Sequence, residues 1–193
     1  SPGIEKKYPN IVFSQFTGAE MMAEKYGLSK DQLDEYSYNS HQRAIAATQG
    51  GKFKEEIVPL QITRADNSTD THHIDEGIRF DASLDGIKGV KLIAENGKHT
   101  AASASQICDG ASGVMVVNER GLKSLGVKPL ARIHHMTMIG GDPVIMLDAP
   151  LHATKRALEK AGMSIDDIDL FEVNEAFAAV PVAWLQTTGA DPA

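Results

Sequence analysis

The stretch Asp169–Val180, DLFEVNEAFAAV, joins an apolar run to a helix-forming run through one short polar residue. The apolar run, residues 170–173, predicts a buried strand, and residues 175–185 predict a helix. Asn174 lies between them. A polar residue between a strand end and a helix start is a common place for functional chemistry, although asparagine is also a favoured helix N-cap. We therefore keep both interpretations of Asn174.

Alternating strands and helices are predicted upstream of this stretch. Residues 111–117 and 130–138 have the apolar character of buried strands. Residues 119–125 and 151–161 have helical spacing, and each is followed by a glycine, Gly126 or Gly162, that can end a helix. This alternation predicts an α/β layered domain over the last part of the chain.

The first 98 residues are less regular and mostly helical in pattern. Capping boxes predict helices that begin at Thr17 and Ser29 and end near Gly27 and Gly50. Residues 54–62 predict a weak strand, residues 64–76 a polar surface loop, and residues 77–98 little periodic structure. A domain boundary is expected between residues 98 and 120.

The composition indicates a globular protein and excludes several functional classes. The chain has 193 residues, of which 42% are hydrophobic, and a net charge of −7, which argues against general nucleic-acid affinity. No apolar run has the length of a membrane span. A single cysteine excludes an internal disulfide, and no signal peptide is evident, so a cytoplasmic or organelle-matrix location is expected.

Several motifs in one order resemble the thiolase family. They are Ser40–Ala44 (SHQRA), Asp75–Arg79 (DEGIR), Thr100–Ala111 (TAASASQICDGA) and Asn174–Phe177 (NEAF). The resemblance implies a partial thiolase-like fold, layered α-β-α, with an irregular and mostly helical loop domain. It implies that residues 1–98 form the loop domain within the N-terminal half, residues 99–119 its last strand region, and residues 120–193 the start of the C-terminal half.

The resemblance also implies a function and a set of site residues. Thiolases are acyltransferases that cleave 3-ketoacyl-CoA with coenzyme A, or condense acetyl-CoA units, through an acylated cysteine. Asn174 matches the catalytic residue that holds a water in an oxyanion hole. Ala104 and Ser105 match residues that touch the pantetheine arm, Arg79 matches one near the nucleotide, and Phe177 matches one that lines the pocket. Coenzyme A is then a co-substrate, no cofactor is bound permanently, and the whole protein is expected to be a homo-oligomer.

The family's nucleophilic cysteine, its activating histidine and its second cysteine have no match in this chain. Cys108, the single thiol, lies beside Asp109, whose charge disfavours a thiolate, and it is expected to be a small, partly buried residue. The chain is therefore expected to be an internal part of a thiolase and inactive alone. A non-catalytic, truncated paralogue that binds acyl-CoA or a thiolase partner is the alternative; fatty-acid condensing enzymes, which lack the Ser40–Ala44 run, rank third.

At Ala102, Ser103, Gln106 and Cys108 the chain departs from the usual family pattern, and there it resembles a degradative branch, such as one acting on steroid side chains, more than the biosynthetic acetoacetyl branch. Simpler interpretations remain for other residues. Arg79 is nearly as well explained by a surface ion pair, Glu175 by a favoured acid in a first helical turn, and His41 by a structural role. The paired histidines at 72–73 and 134–135 have no ligand spacing, so no metal site is predicted. The methionines at 21, 22, 136 and 138 are expected in the core.

Overall fold

The computed structural model describes residues 2–192. Its α-helices are Pro2–Lys7 (α1), Gln15–Lys25 (α2), Lys30–Gln49 (α3), Leu84–Lys88 (α4), Glu119–Leu125 (α5), Ala149–Ala161 (α6) and Ala179–Thr188 (α7). Short 3-10 turns occupy Ala101–Ser103 and Ile165–Asp167. Two strands, Leu60–Thr63 (β1) and Thr69–His72 (β2), form an antiparallel hairpin in which Leu60 pairs with His72 and Thr63 with Thr69.

The core lies where α2, α6 and α7 meet the start of α3. Its buried apolar side chains include Met22, Leu28, Leu33, Leu151, Val180 and Trp184. Trp184 is 3% exposed, and its Nε1–H donates to Thr154 Oγ1 at 2.8 Å, which ties α7 to α6. A Cβ at Gly18 would lie 2.6 Å from the Ile145 carbonyl oxygen, so α2 approaches this segment at a distance that only glycine permits.

The helix predictions hold closely for α3, α5 and α6. Ser29 and Gln32 form the predicted capping box at the start of α3, and Asn118 caps α5 through the Gly121 amide. Gly126 and Gly162 end their helices with φ of 64° and 67°. The start of α2 differs, because the Gly18 amide bonds to the Ser14 carbonyl at 2.9 Å and so closes a turn before Thr17.

The predicted strands at 111–117, 130–138 and 170–173 are absent from the described part of the chain. These segments are irregular and expose apolar side chains, with Val114 at 85% and Met138 at 90%. A strand exists only where a neighbouring strand accepts and donates its backbone hydrogen bonds, and no segment within residues 2–192 pairs with these three. Met136 and Met138, predicted in the core, are exposed for the same reason, whereas Met22 is buried.

The N-terminal region holds more structure than its sequence predicts. The weak strand predicted at 54–62 is realised only at its end, as β1, and the predicted polar loop contains β2. Helix α4 lies in a region predicted to be irregular, with Ser83 Oγ accepting from the Gly86 amide at its start. No helix within residues 2–192 combines the length and apolar character required to cross a membrane.

Candidate active site

A backbone bridge brings the two most distinctive motifs together. Ala104 and Phe177 form an isolated antiparallel bridge. The Ser105 amide donates to the Ala176 carbonyl at 2.9 Å, and the Ala178 amide donates to the Ser103 carbonyl at 2.9 Å. The two paired segments therefore carry four of the predicted site residues, namely Ala104, Ser105, Asn174 and Phe177.

The segment that leads into Ala104 is shaped by its own small side chains. The Thr100 amide donates to Ser103 Oγ at 2.9 Å, and the Ala102 amide donates to Thr100 Oγ1 at 3.1 Å. Both Thr100 and Ser103 are buried. These local bonds close the 3-10 turn and leave Ala104 in extended backbone, which is the geometry that the bridge to Phe177 needs.

Two cavities open beside this bridge, and their linings overlap. The first, of about 400 Å³, is lined by Arg79, Ser83, Ile87 and Ala104 among others. The second, of about 280 Å³, is lined by Ser105, Asn174, Glu175 and hydroxyl groups of α3. Both linings contain His41, Ala102, Ala104 and Gln106. Four of the five predicted site residues thus lie around two adjoining cavities, with Arg79 in one and Asn174 in the other.

Phe177, the fifth predicted site residue, contributes to neither of these linings. It is 4% exposed. Its ring packs edge-on against Phe16 at 5.5 Å and against His99 at 5.6 Å between ring centroids. The structure therefore places Phe177 in the packing that supports the bridge, and a direct role in lining a pocket stays a prediction.

Asn174 is not a helix N-cap, because α7 begins only at Ala179. Its side chain is exposed and lies on the lining of the second cavity. Glu175 is likewise outside the first turn of α7. Its carboxylate instead accepts hydrogen bonds from Tyr36 Oη at 2.6 Å and Ser40 Oγ at 2.7 Å. The favoured-acid interpretation of Glu175 is therefore wrong.

Tyr36 and Ser40 also belong to the site, although they were not predicted as site residues. Their signal was available, since residues four apart on a helix share one face, and both carry hydroxyl groups. Burial, together with the bond to Glu175, raises the pKa of Tyr36 far above its ordinary value. The phenol is therefore neutral at physiological pH, and its O–H is a permanent donor to Glu175.

Arg79 and His41 meet through the backbone. The Arg79 amide donates to His41 Nδ1 at 3.5 Å, so His41 accepts from a backbone N–H. The guanidinium of Arg79 is exposed at the first cavity and forms none of the ion pairs found within residues 2–192. The surface-ion-pair interpretation of Arg79 has no support in this geometry, and its cation is open to an anionic ligand.

His99 is a third residue near the site that the sequence did not predict. It is 1% exposed, and neither ring nitrogen has a hydrogen-bond partner within residues 2–192. The nearest carboxylate oxygen, Glu20 Oε1, lies 3.4 Å from Nδ1. That oxygen instead accepts from the His99 amide at 2.9 Å, and the other Glu20 oxygen accepts from the Lys98 amide at 2.8 Å. Burial lowers the pKa of the His99 imidazole, and Glu20 partly opposes this.

Cys108 is exposed, which corrects the expectation that it is partly buried. The irregular segment that follows Ser105 carries it outside the packed region. Among the described side chains, no group of three or more His, Cys, Asp or Glu residues is arranged to hold a metal ion.

Family models and relatives agree on the affiliation of the chain. Residues 11–120 match the thiolase N-terminal domain, and residues 127–193 match the thiolase C-terminal domain. A steroid 3-ketoacyl-CoA thiolase of Mycobacterium tuberculosis is 46% identical over 187 residues, which cover 97% of this chain and 44% of that protein. A 3-ketoacyl-CoA thiolase of Cronobacter sakazakii is 41% identical over 190 residues, which cover 97% of this chain and 49% of that protein.

Solved structures agree as well. Human mitochondrial 3-ketoacyl-CoA thiolase superposes with a TM-score of 0.81 at 34% identity, over 91% of this chain and 44% of that one. The Bacillus anthracis acetyl-CoA acetyltransferase superposes with a TM-score of 0.84 at 33% identity, over 95% of this chain and 46% of that one. The chain thus spans less than half the length of these relatives. The predicted partial thiolase-like fold is confirmed, and the chain belongs to the thiolase family.

Proposed function

We propose that this chain forms the coenzyme A-binding part of an acyl-CoA C-acyltransferase that cleaves 3-ketoacyl-CoA with coenzyme A or runs the reverse condensation. The names of the relatives support the reaction class. The Mycobacterium tuberculosis relative acts, by its name, on steroid-derived thioesters. Together with the departures at Ala102 and Ser103, this supports a degradative role with a bulky acyl group.

The overlap of the two cavities is the observation that carries the proposal. Coenzyme A is a long ligand with phosphates at one end and a thiol at the other. Arg79 forms no ion pair within residues 2–192 and presents its cation at the first cavity, where a phosphate can be bound. Ala102 and Ala104 line both cavities with small side chains that leave room for the pantetheine arm. Ser105 and Asn174 lie at the second cavity, where the thioester would arrive.

Asn174 contributes a side-chain amide at that end. In the proposed reaction its side chain holds a water that donates to the thioester oxygen as negative charge develops there. A donor positioned in advance stabilises such a charge more than mobile solvent does. Ser105 and Ala104 hold the arm, and Phe177 supports the Asn174 segment from the packed side.

Acyl transfer itself also needs a thiolate, and no residue of this chain fills that role. Cys108 is exposed, lies next to Asp109 and lines neither cavity. We therefore propose that the 193-residue chain binds coenzyme A but does not turn it over. The alternative, a non-catalytic paralogue that binds acyl-CoA or a thiolase partner, is favoured by this same placement of the single cysteine.

Calorimetric titration of the chain with coenzyme A tests the binding proposal. Arg79→Ala removes one charge-assisted phosphate contact, so the Kd should rise by about tenfold or more. Arg156→Ala is the matched control, because this arginine is exposed on α6 and lines neither cavity. Equal Kd values for the two variants, or no binding by the unmodified chain, would refute the proposed site.

Turnover separates the leading proposal from the alternative. If the polypeptide isolated from its source thiolyses a 3-ketoacyl-CoA, Asn174→Ala should lower kcat by about 100-fold, as for loss of one oxyanion donor. Coenzyme A binding without any thiolysis by that native polypeptide would instead support the non-catalytic paralogue.

A further inference from the structure

We propose that Glu175 is a positioning residue, held by the hydroxyl groups of Tyr36 and Ser40, that fixes the Asn174 segment at the second cavity. The three side chains are named here the hydroxyl clamp. The clamp connects α3 to the segment before α7, and its two hydrogen bonds measure 2.6 and 2.7 Å. Its part in turnover rests on the proposed function, whereas the contacts themselves do not.

Both carboxylate oxygens of Glu175 are used by the clamp. Tyr36 donates to Oε1 and Ser40 donates to Oε2, so the carboxylate can neither rotate nor shift without losing a bond. Hydrogen bonds to a charged acceptor are shorter and stronger than those between neutral groups. Tyr36 and Ser40 are one helical turn apart, so α3 presents them together as a rigid pair.

Asn174 depends on this clamp because little else holds it. Within residues 2–192, no hydrogen bond restrains its side chain, and the preceding residues 169–173 form no regular element. On its C-terminal side, the bridge fixes Ala176 and Ala178 through their backbone. The clamp acts at Glu175, the residue between Asn174 and that bridge. Removing the clamp should therefore loosen the position that carries Asn174.

The surroundings of Tyr36, above all the burial of its ring, raise its pKa and keep the phenol protonated near neutral pH. Glu175 and Glu172 favour the neutral phenol of Tyr36, and Arg43 opposes them. Burial of the ring acts in the same direction as the two carboxylates. The phenol therefore keeps its proton, and the donor side of the clamp does not change with pH in the physiological range.

Hydrogen exchange on the unmodified chain and on clamp variants tests the proposal without relying on activity. Tyr36→Phe and Glu175→Gln should each speed exchange of the Ser105 and Ala178 amides by about tenfold, as expected for loss of a bond to a charged group. Tyr38→Phe is the matched control, since it removes a hydroxyl from the same helix without touching Glu175. Leu33→Ala reports on general destabilisation, which should speed exchange throughout the core.

The outcomes separate the clamp from a purely structural contribution. Faster exchange confined to residues 103–105 and 174–178 supports the clamp. Exchange that is unchanged, or that rises everywhere as in Leu33→Ala, overturns it. If Glu175→Gln fails to fold, Tyr36→Phe gives the same test with a smaller change.

A spectroscopic readout adds a second test. The alkaline absorbance titration of the chain, minus that of Tyr36→Phe, isolates the Tyr36 phenol. Burial of the ring remains in Glu175→Gln, so this variant should lower the Tyr36 pKa only in part. An unchanged titration would contradict the contact. In a polypeptide that shows thiolysis, Glu175→Gln should lower kcat with little change in KM. If the unmodified chain does not bind coenzyme A, the proposed function is refuted. The hydrogen-exchange result would still test the clamp.

Discussion

Ala104 and Phe177 form an antiparallel bridge between segments far apart in the sequence. Each partner is flanked by a residue whose amide donates across the bridge, Ser105 to Ala176 and Ala178 to Ser103. The bridge is what brings the small side chains near Ala104 to the same place as Asn174. The integrity of the candidate site is therefore tied to the packing of the Phe177 ring.

Phe177→Ala should destabilise the chain by about 3–5 kcal/mol, because it empties a buried aromatic site. The contacts of the Phe177 ring with Phe16 and His99 are removed by the same substitution. Urea unfolding followed by tryptophan fluorescence measures the change. Phe16→Ala is the control, since that ring is 53% exposed. Equal losses for the two variants would argue against Phe177 as the buried support.

The hydrogen bond from Trp184 to Thr154 should be measurable by a double-mutant cycle. Trp184→Phe and Thr154→Val each remove one partner of the 2.8 Å bond between α7 and α6. A coupling free energy of about 0.5–1.5 kcal/mol is expected, the net value of a buried neutral hydrogen bond. Additive losses in the double variant would show that the two side chains act independently.

His99 should make the stability depend on pH below its ordinary pKa of 6.5. The unfolded chain takes up a proton at that pH, whereas the buried imidazole, with its lowered pKa, resists protonation. Its stabilising contribution is thus complete above pH 6.5 and is lost as the pH falls, by up to about 1.4 kcal/mol per pH unit. The facing groups Glu20 and Lys98 modulate this slope.

Unfolding measured between pH 7.5 and 5 gives the slope for the unmodified chain. His99→Phe removes the titrating group while retaining an aromatic ring, so its stability should vary less over this range. Parallel curves for the two proteins would mean that His99 does not titrate differently on folding.

The chain should self-associate when it is produced alone, because residues 111–117 and 130–138 present unpaired backbone and exposed apolar side chains. Sedimentation velocity should show oligomers whose population increases with concentration. Val114→Lys combined with Met138→Lys should reduce association. Val12→Lys serves as a control, since Val12 is 82% exposed but lies outside both segments. A monomer at all concentrations would contradict this expectation.

Local patterns predicted the helices well and the strands poorly. The Ser29–Gln32 capping box and the glycine ends of α5 and α6 are set by neighbouring residues, and all appear as predicted. The apolar run 170–173 looks like a buried strand, but strand formation requires a partner that local sequence does not supply. The start of α7 was also mispredicted. Contacts with distant segments hold Glu175 and Phe177 outside the helix, so α7 begins four residues beyond Glu175, at Ala179.

The candidate site was predicted in part for a similar reason. Motifs that resemble those of the thiolase family predicted Ala104, Ser105, Arg79 and Asn174. The structure places these four residues around two adjoining cavities. Neither Tyr36 nor His99 belongs to a motif quoted for that resemblance. Their importance arises from contacts with Glu175 and Phe177, which lie far away along the chain.

The sequence by itself determined the family, helices α3, α5 and α6 and the motif residues of the site, because these depend on residue identity and on neighbours within a few positions. Only the tertiary structure decided which apolar runs remain unpaired, that the Phe177 ring is buried against Phe16 and His99, and that Glu175 is held by α3. Those features depend on backbone pairing and side-chain contacts between distant segments, whose free energies arise only when the chain folds.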